Sequence, residues 1–372
     1  MSQVRCIYAV TVALIFISSC LGCTYFEVRT EGVPTVIGNT NEWITPDSAK
    51  TWQVAVQPRG EKFNPSCKGG RSWQAKLGFV AMTTGGYYND TGGNSMNEAG
   101  LAISEHALRG VGTYRPGNST LTLCAQDLAT WLMTTFETVA ELREVLPSVA
   151  VLSDGPGTNS DPGSQWAIAD AKGESIVVDH VAGSLHIYDN RAVGVLTNDP
   201  DYPWQVRNLN NYVGLSMGWP TGNDGIAVDS EFGTVPVAVG HGQNMLGLPG
   251  DLSPPARFVR TFFTRSYALR ATPPKHLEDS LVIASGLLNT QHILKGFNAR
   301  LHTEHGYDYT QFGVMKVPAE KLFYYRTYEA SQWRLVNLSA VDFGKSGHSK
   351  PSGGFAAIDV TSELQPPGIM NV

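Results

Sequence analysis

The residues best suited to nucleophilic chemistry lie in a short stretch near the start of the chain, SSCLGCTYF (residues 18–26). Cys20 and Cys23 stand three apart there, where an apolar leader gives way to a chain of globular composition. A thiol with a pKa of about 8.5 is mostly protonated at neutral pH, whereas an α-amino group titrates near about 8. A chain that begins at Cys23 would therefore carry a thiol and its own base on one residue, the arrangement of an N-terminal nucleophile.

The leader has the anatomy of a secretory signal peptide. Arg5 gives it a positive start, residues 6–17 are almost wholly apolar, and small residues follow up to Gly22. Such a segment is too short to be a typical membrane span. We therefore predict a signal peptide over residues 1–22, cleavage after Gly22, and a secreted or periplasmic mature chain that begins at Cys23.

Two other interpretations of the leader stay open. One is a membrane-anchor helix. The other is a lipoprotein signal, because the stretches ISSC and CLGC, which end at Cys20 and Cys23, both loosely resemble a bacterial lipoprotein cleavage site. Lipidation at Cys23 would consume its thiol, and the chain would then be a catalytically dead, lipid-anchored binding protein.

The composition is that of a globular, enzyme-sized protein. Apolar residues make up 42% of the chain and charged residues 16%, which favours a large core and argues against disorder. The formal net charge is −6 and no basic run is present, so nucleic acid and anionic membranes are poor candidate partners. No second apolar stretch is long enough for a stable membrane span.

Three cysteines remain after the leader, namely Cys23, Cys67 and Cys124. In an oxidising compartment two of them can pair and one is left over. Cys67 and Cys124 are candidates for a disulfide, although their spacing does not show it. An odd cysteine in an exported protein is either an intermolecular link or a reactive thiol.

The elements that must position Cys23 are predicted to be clusters of antiparallel strands separated by helices. A hairpin is predicted from residues 23–29 and 34–39, around the turn Thr30-Glu31-Gly32. Further strands are predicted over residues 53–57, 78–82, 101–104, 165–170, 175–179, 185–188, 192–197, 322–329 and 332–338. Helices are predicted over residues 121–136, after a cap at Thr138, and from Ser253 to about residue 269. This mixture indicates an α+β fold with sheets packed under helices.

Four stretches carry a family resemblance: Cys23-Thr24, MNEAGLA (96–102), GVLTNDPDYPWQVRNLNNYVGLS (194–216) and GLPGDLSPPARF (247–258). The late segment KLFYYRTYE (321–329) is similar as well. Together they resemble the choloylglycine hydrolase family, cysteine N-terminal nucleophile hydrolases that include conjugated bile salt hydrolases and penicillin V acylases. The resemblance spans nearly the whole mature chain. It implies a four-layer αββα sandwich and a single domain over residues 23–372.

The resemblance also implies a role for each matching residue. Cys23 would be the nucleophile and, through its amine, the base, while Asn198 would donate its side-chain amide to the oxyanion. Arg257 would sit beside the nucleophile and tune its charge. The backbone N–H of Ala107, give or take one residue, would be the second oxyanion donor. From the residues alone, Asn198 beside Asp199-Pro200 would be a turn former and Arg257 a solvated helix arginine.

One stretch departs from the family pattern. After the first hairpin many members carry an arginine and, three residues later, an aspartate, where this chain has Asn39 and Glu42. Glu42 can replace an aspartate, but Asn39 has neither the charge nor the bidentate fork of an arginine. The departure predicts slower alkylation of Cys23 at mildly acid pH, an altered substrate preference, or a site in which Arg257 acts alone. Loss of activity stays open as an alternative.

The sequence thus predicts hydrolysis of a linear, non-peptide C–N bond through a thioester on Cys23, without a cofactor or a metal. The partner would be a small-molecule N-acyl amide, and bile salts, penicillin V, N-acyl homoserine lactones and other N-acyl amines all fit that reaction. A homo-oligomer stays open. Four aromatic residues could line an acyl pocket, although core packing is expected for at least half of them. They are Trp43, Trp73, Tyr87 and Tyr88.

Two weaker motifs in the sequence could also indicate a functional site. Gly214-Leu215-Ser216-Met217-Gly218 fits the Gly-x-Ser-x-Gly pattern of serine hydrolases, which requires a strand before the serine and a helix after it. A loop rich in glycine and asparagine follows instead, so we interpret the match as chance and keep an esterase using Ser216 as a third hypothesis. His302 and His305 flank Glu304 without a complete metal-binding spacing, and we interpret them as surface histidines.

Overall fold

The computed structural model describes residues 22–44, 52–84, 93–114, 119, 121–152, 163–218, 226–237, 242–299 and 307–349. Its strands are β1 (Thr24–Thr30), β2 (Val33–Ile44), β3 (Trp52–Gln57), β4 (Lys62–Phe63), β5 (Trp73–Gln74), β6 (Phe79–Thr84), β7 (Asn94–Asn97), β8 (Ala102–Ala107), β9 (Leu121–Cys124), β10 (Val149–Leu152), β11 (Ser164–Ala169), β12 (Ser175–Val181), β13 (Ser184–Asp189), β14 (Val195–Leu196), β15 (Ile226–Ser230), β16 (Gly233–Val237), β17 (Asn298–Ala299), β18 (Tyr307–Val317), β19 (Leu322–Thr327), β20 (Arg334–Asn337) and β21 (Gly347–Ser349). Its α-helices are α1 (Leu128–Thr135), α2 (Val139–Val145), α3 (Tyr202–Asn208), α4 (Pro254–Ala271) and α5 (Leu277–Thr290). The predicted signal peptide lies outside these residues except for Gly22.

Two sheets organise the described residues. A seven-stranded sheet has the order β14-β1-β2-β18-β19-β20, with β17 paired to β18. An eight-stranded sheet has the order β13-β12-β11-β8-β7-β6-β3-β21. In the first sheet β1 and β2 are antiparallel, with Thr24 opposite Thr40 and Tyr25 opposite Asn39. This register places the start of β1 beside the C-terminal half of β2.

Helices cover the outer faces of both sheets. α4 and α5 pack on β1 in the seven-stranded sheet, and α1 packs on β7 and β8 in the eight-stranded sheet. One apolar core lies between the sheets, with Tyr25 and Ile37 from the first and Ala167 and Val177 from the second. A second core joins the eight-stranded sheet to α1 and α2. This αββα sandwich confirms the predicted α+β fold class.

Local signals in the sequence account for several boundaries. Gly32 turns the first hairpin with φ +75°, a conformation that favours glycine. The Thr138 side chain accepts a hydrogen bond from the Glu141 N–H, and the Glu141 carboxylate accepts one from the Thr138 N–H, which forms the predicted capping box of α2. Ser253 caps α4 by accepting from the Ala256 N–H, as predicted.

The predicted helix over residues 121–136 is wrong in its first half. Leu121–Cys124 forms strand β9, which pairs in parallel with Val149–Leu152. Leucine favours a helix and threonine favours a strand, so the local preference of Leu121, Thr122 and Leu123 is divided and tertiary context decides. Only Leu128–Thr135 is α-helical. The strand predicted over residues 192–197 is likewise shortened to Val195–Leu196.

Cys67 and Cys124 form a disulfide, with their Cα atoms 5.7 Å apart. Cys23 is the free cysteine of the described residues, and it is buried. The same residues contain no helix that is long and apolar enough to cross a bilayer.

Candidate active site

Cys23 lies immediately before β1 and is fully buried. Its Sγ is 3.8 Å from Asn41 Oδ1 on the neighbouring strand β2, within reach of a thiol donor. Gly22 precedes it in the described chain, so the Cys23 nitrogen is still part of a peptide bond. The structure therefore describes the position of the thiol in a chain that continues before Cys23.

Arg257 occupies the first turn of α4, where the Ser253 cap and Pro254 at the helix start fix the backbone. Its side chain is fully buried and projects onto β1. Nη1 donates to the Cys23 carbonyl at 2.7 Å and to Thr24 Oγ1 at 2.6 Å. The guanidinium thus holds the backbone of Cys23, a contact consistent with the predicted place of Arg257 beside it.

Asn198 follows β14 and is 3% exposed. Its Oδ1 accepts from Arg257 Nη2 at 3.0 Å, and its Nδ2 donates to the Ala107 carbonyl at 3.0 Å. Because a guanidinium can only donate, the amide oxygen must face Arg257 and the amide N–H groups must face Ala107. The predicted oxyanion donor is therefore oriented by two bonds.

Ala107 ends strand β8 and lies beside Asn198, as the predicted pairing of the two oxyanion donors requires. The atom seen in contact with Asn198 is the Ala107 carbonyl oxygen, which accepts. The role predicted for its backbone N–H stays a prediction.

Asn39 lies on β2 and is fully buried. Its Nδ2 donates to the Thr40 carbonyl at 2.9 Å and to Asn94 Oδ1 at 2.8 Å, and its Oδ1 is 3.1 Å from His106 Nε2. A neutral polar network therefore occupies the position at which many family members carry an arginine.

Glu42 lies three residues further along β2, against Gly22. A Cβ added to Gly22 would lie 2.6 Å from Glu42 Cβ, so the residue before Cys23 must be glycine in this conformation. The carboxylate accepts from Thr310 Oγ1 at 2.7 Å and from Thr40 Oγ1 at 3.1 Å. Burial raises the pKa of Glu42 to about 8, while the Arg257 charge opposes that rise.

Three side chains at the site were missed by the sequence reasoning: Asn41, His106 and Asp308. Asn41 alternates with Asn39 along β2, so the period-2 pattern of a strand places both on one face. His106 directly precedes the predicted donor Ala107. Asp308 lies on β18 diagonally opposite Glu42, because Thr310 pairs with Glu42 and Asp308 with Ile44. Burial raises the pKa of Asp308 to about 6.

Other candidates lie elsewhere or outside the described residues. Ser216 follows a 3₁₀ turn and donates to the Gly218 carbonyl at 2.9 Å, without the strand-turn-helix context of a nucleophilic serine. Trp73 stacks on Phe63 at 4.9 Å and donates to Thr134, a packing role. Trp43 is half-buried and its carbonyl accepts from the Gln311 side chain. Tyr87, Tyr88, His302, Glu304 and His305 fall outside the described residues.

The arrangement has the parts of an acyl-transfer site. A buried thiol lies beside a cation that holds its backbone, and the same cation orients an amide donor. Preorganised donors of this kind stabilise the negative charge that develops on a carbonyl oxygen in a tetrahedral intermediate. Release of the Cys23 amine would add the base.

The chain is similar to known proteins over most of its length. The sequence model of the linear amide C–N hydrolases, choloylglycine hydrolase family, matches residues 23–350. The chain is 31% identical to the bile salt hydrolase/transferase of Clostridium perfringens over 223 residues, which cover 58% of this chain and 60% of that protein. It is 32% identical to the bile salt hydrolase/transferase of Lactiplantibacillus plantarum over 248 residues, covering 66% of this chain and 72% of that protein.

Solved structures share the fold. A cysteine-to-alanine mutant of the conjugated bile acid hydrolase from Clostridium perfringens superposes with a TM-score of 0.75 at 24% identity, covering 91% of this chain and 99% of that chain. The penicillin V acylase from Agrobacterium tumefaciens superposes with a TM-score of 0.68 at 19% identity, covering 89% and 92% of the two chains. At these identities the superpositions show the fold alone.

Proposed function

The chain belongs to the choloylglycine hydrolase family of linear amide C–N hydrolases, and from this premise we propose that its mature form hydrolyses small N-acyl amides. The family and the class of enzyme predicted from the sequence are thereby confirmed. The observation that carries the proposal is the pair of bonds that Arg257 makes, one to the backbone of Cys23 and one to Asn198. Nothing in the comparisons favours a dead binding protein.

The positions of these groups support the following reaction in a chain that begins at Cys23. The Cys23 amine accepts the thiol proton, and Sγ attacks the acyl carbon to form a tetrahedral oxyanion near the Asn198 amide. Collapse of that intermediate forms a thioester on Cys23 and expels the amine part of the substrate. This leaving amine takes the proton that the Cys23 amine had accepted. Water then attacks the thioester, releases the carboxylic acid and restores the thiol. These steps use only groups of the chain, the substrate and water.

The substrate is proposed as a class. The names of the similar proteins indicate bile salts and penicillin V as substrates of those proteins. For this chain, a panel of conjugated bile salts, penicillin V, N-acyl homoserine lactones and simple N-acyl amines tests the class and ranks its members.

Secretion or periplasmic export and removal of residues 1–22 belong to the same proposal, because the reaction needs a free amine on Cys23. The apolar leader supports export. Intact mass and N-terminal sequencing of the exported protein should give Cys23 as the first residue, without lipid.

The deciding experiment combines the substrate panel with Cys23→Ala and Cys23→Ser. We expect the wild-type protein to hydrolyse at least one substrate and to form an acyl adduct of matching mass on Cys23. Both variants should lose turnover while they keep the thermal unfolding midpoint of the parent. Undiminished hydrolysis by Cys23→Ala, or a lipidated Cys23, would overturn the proposal, and a serine-directed phosphonate would then test Ser216.

A further inference from the structure

His106 is a buried histidine at the end of β8 for which the reaction above has no role. It precedes Ala107 and is fully buried. Its Nδ1 is 3.0 Å from the Thr197 carbonyl, and its Nε2 is 3.1 Å from Asn39 Oδ1. The ring therefore lies between the segment that carries the oxyanion donor and the strand beside the nucleophile.

Both ring nitrogens of His106 face acceptors. The Thr197 carbonyl can only accept, so its contact with Nδ1 is a hydrogen bond when Nδ1 carries the proton. Asn39 Oδ1 beside Nε2 is also an acceptor, because Asn39 Nδ2 donates to Thr40 and Asn94. Burial lowers the pKa of His106 to about 3, and the charges of Arg257 and Lys316 lower it further than hydrogen bonds to Thr197 and Cys23 raise it. The ring is then neutral at pH 7 and carries one proton. With that proton on Nδ1 the ring donates to Thr197, and with it on Nε2 the ring donates towards Asn39 and the Cys23 backbone.

Two consecutive residues of β8 hold two consecutive residues of the oxyanion segment. His106 Nδ1 lies 3.0 Å from the Thr197 carbonyl, and the Ala107 carbonyl accepts from the Asn198 amide. A second donor, Gln165 Nε2, reaches the same Thr197 carbonyl at 3.0 Å. The backbone of the segment is thus fixed from the eight-stranded sheet, while Arg257 fixes the Asn198 side chain from α4.

We infer that His106 is a positioning residue for the amide hydrolysis, and that its Nδ1–H holds Thr197 so that the Asn198 amide is aimed at the developing oxyanion. The inference rests on the proposed function of Cys23 and adds His106 to the residues that serve this reaction. Misplacement of an oxyanion donor costs transition-state stabilisation more than substrate binding. The loss should therefore appear in kcat and leave KM nearly unchanged.

Three substitutions separate the two ring nitrogens. In His106→Asn the amide nitrogen stands the same number of bonds from Cβ as Nδ1, so the donor to Thr197 is kept. In His106→Gln the amide nitrogen stands where Nε2 was, so the contact with Asn39 is kept and the donor to Thr197 is lost. His106→Leu keeps neither. We expect kcat to fall roughly 10- to 100-fold in the Leu and Gln variants, below the loss from deleting an oxyanion donor outright, and to stay within a few-fold of wild type in the Asn variant.

His180 supplies the matched control. It is a buried histidine on β12, where burial lowers its pKa to about 4, and it contacts the Tyr114 and Trp166 rings on the other face of the sheet. His180→Leu should leave kcat and KM unchanged whatever it does to the unfolding midpoint. Equal losses of kcat in His106→Asn and His106→Leu, or wild-type kcat in His106→Leu, would overturn the inference.

A readout that needs no turnover keeps this inference separable from the proposed function. In protein labelled selectively with ¹⁵N-asparagine, the side-chain amide signals of Asn198, assigned by Asn198→Ala, should move in His106→Leu and return in His106→Asn. If the wild-type protein hydrolyses no substrate of the panel but the Asn198 signals change as expected, the proposed function is refuted and the positioning role of His106 is supported. If the Asn198 amide signals are unchanged in all three His106 variants, the positioning role of His106 is refuted and the proposed function is not.

Discussion

Arg257 Nη2 donates to Asn198 Oδ1 at 3.0 Å, and this bond decides which end of the asparagine amide faces the site. The same guanidinium binds the Cys23 carbonyl and, through Nε, the Leu252 carbonyl at 3.0 Å. One planar cation therefore connects Cys23, Asn198 and the start of α4. A lysine has no fork and could not satisfy these directions at once.

Asn198→Ala tests the oxyanion donor. Removal of one such donor is expected to lower kcat roughly 100- to 1000-fold, or about 3–4 kcal/mol of transition-state stabilisation. The substitution also removes the Asn198 oxygen that accepts from Arg257 Nη2, so the unfolding midpoint should be measured beside kcat. Asn210→Ala, at an exposed position after α3, is the control and should match wild type. Near-full turnover in Asn198→Ala would show that the oxyanion is held by other groups.

Much of this site could be predicted because its residues lie in contiguous motifs. Ser253-Pro254 defines the start of α4 and so the place of Arg257, and the stretch around Asn198 is long enough to match a family by itself. Cys23, Asn198, Arg257 and Ala107 indeed meet in the structure. Asn39 and Glu42 also lie there, but the network around Asn39 could not be foreseen, because its partner His106 comes from the other sheet.

The failures of prediction have a common physical cause. Leu121–Cys124 is a strand only because Val149–Leu152 lies beside it, and such a pairing leaves no local signature. The long strand β18, which brings Thr310 and Asp308 to Glu42, was not predicted. Its sequence YDYTQFGVMKV mixes polar and apolar residues on both faces, since both the core and the site use it.

Glu42→Gln tests the buried carboxyl. The folded chain with its leader attached raises the pKa of Glu42 from 4.5 to about 8, so between these values it binds more protons than the unfolded chain. The free energy of unfolding should therefore fall as pH rises through that window. Glutamine stays neutral, so Glu42→Gln should reduce the decrease of the unfolding free energy with pH. The exposed control Glu320→Gln should leave that decrease unchanged. Urea titrations at several pH values measure the slopes, and equal slopes for all three proteins would contradict a protonated Glu42.

Lys316→Met tests a buried lysine between the sheets. Lys316 Nζ donates to the Ile103 carbonyl and, at 2.9 Å, to Ser104 Oγ, and burial lowers its pKa from 10.5 to about 7. Between these values the unfolded chain binds more protons, so the free energy of unfolding should rise with pH. Methionine should abolish that rise, and the exposed control Lys172→Met should retain it. A rise that persists in Lys316→Met would mean that Lys316 is charged in the folded protein.

The last prediction concerns the charge around Cys23. A neighbouring cation favours a thiolate, whereas Asn39 supplies only neutral polar groups. Arg257→Ala should therefore shift the pH dependence of Cys23 alkylation by iodoacetamide to higher pH, while the control Arg270→Ala, at the exposed end of α4, should leave it in place. Asn39→Arg should shift it to lower pH if the longer side chain fits beside His106. Because Asn39 is fully buried and bonded to Asn94, Asn39→Lys provides a second cation of different shape. If the curves of all the variants superimpose on that of wild type, neither position sets the charge of the thiol, and Arg257 acts only by holding the Cys23 backbone and Asn198.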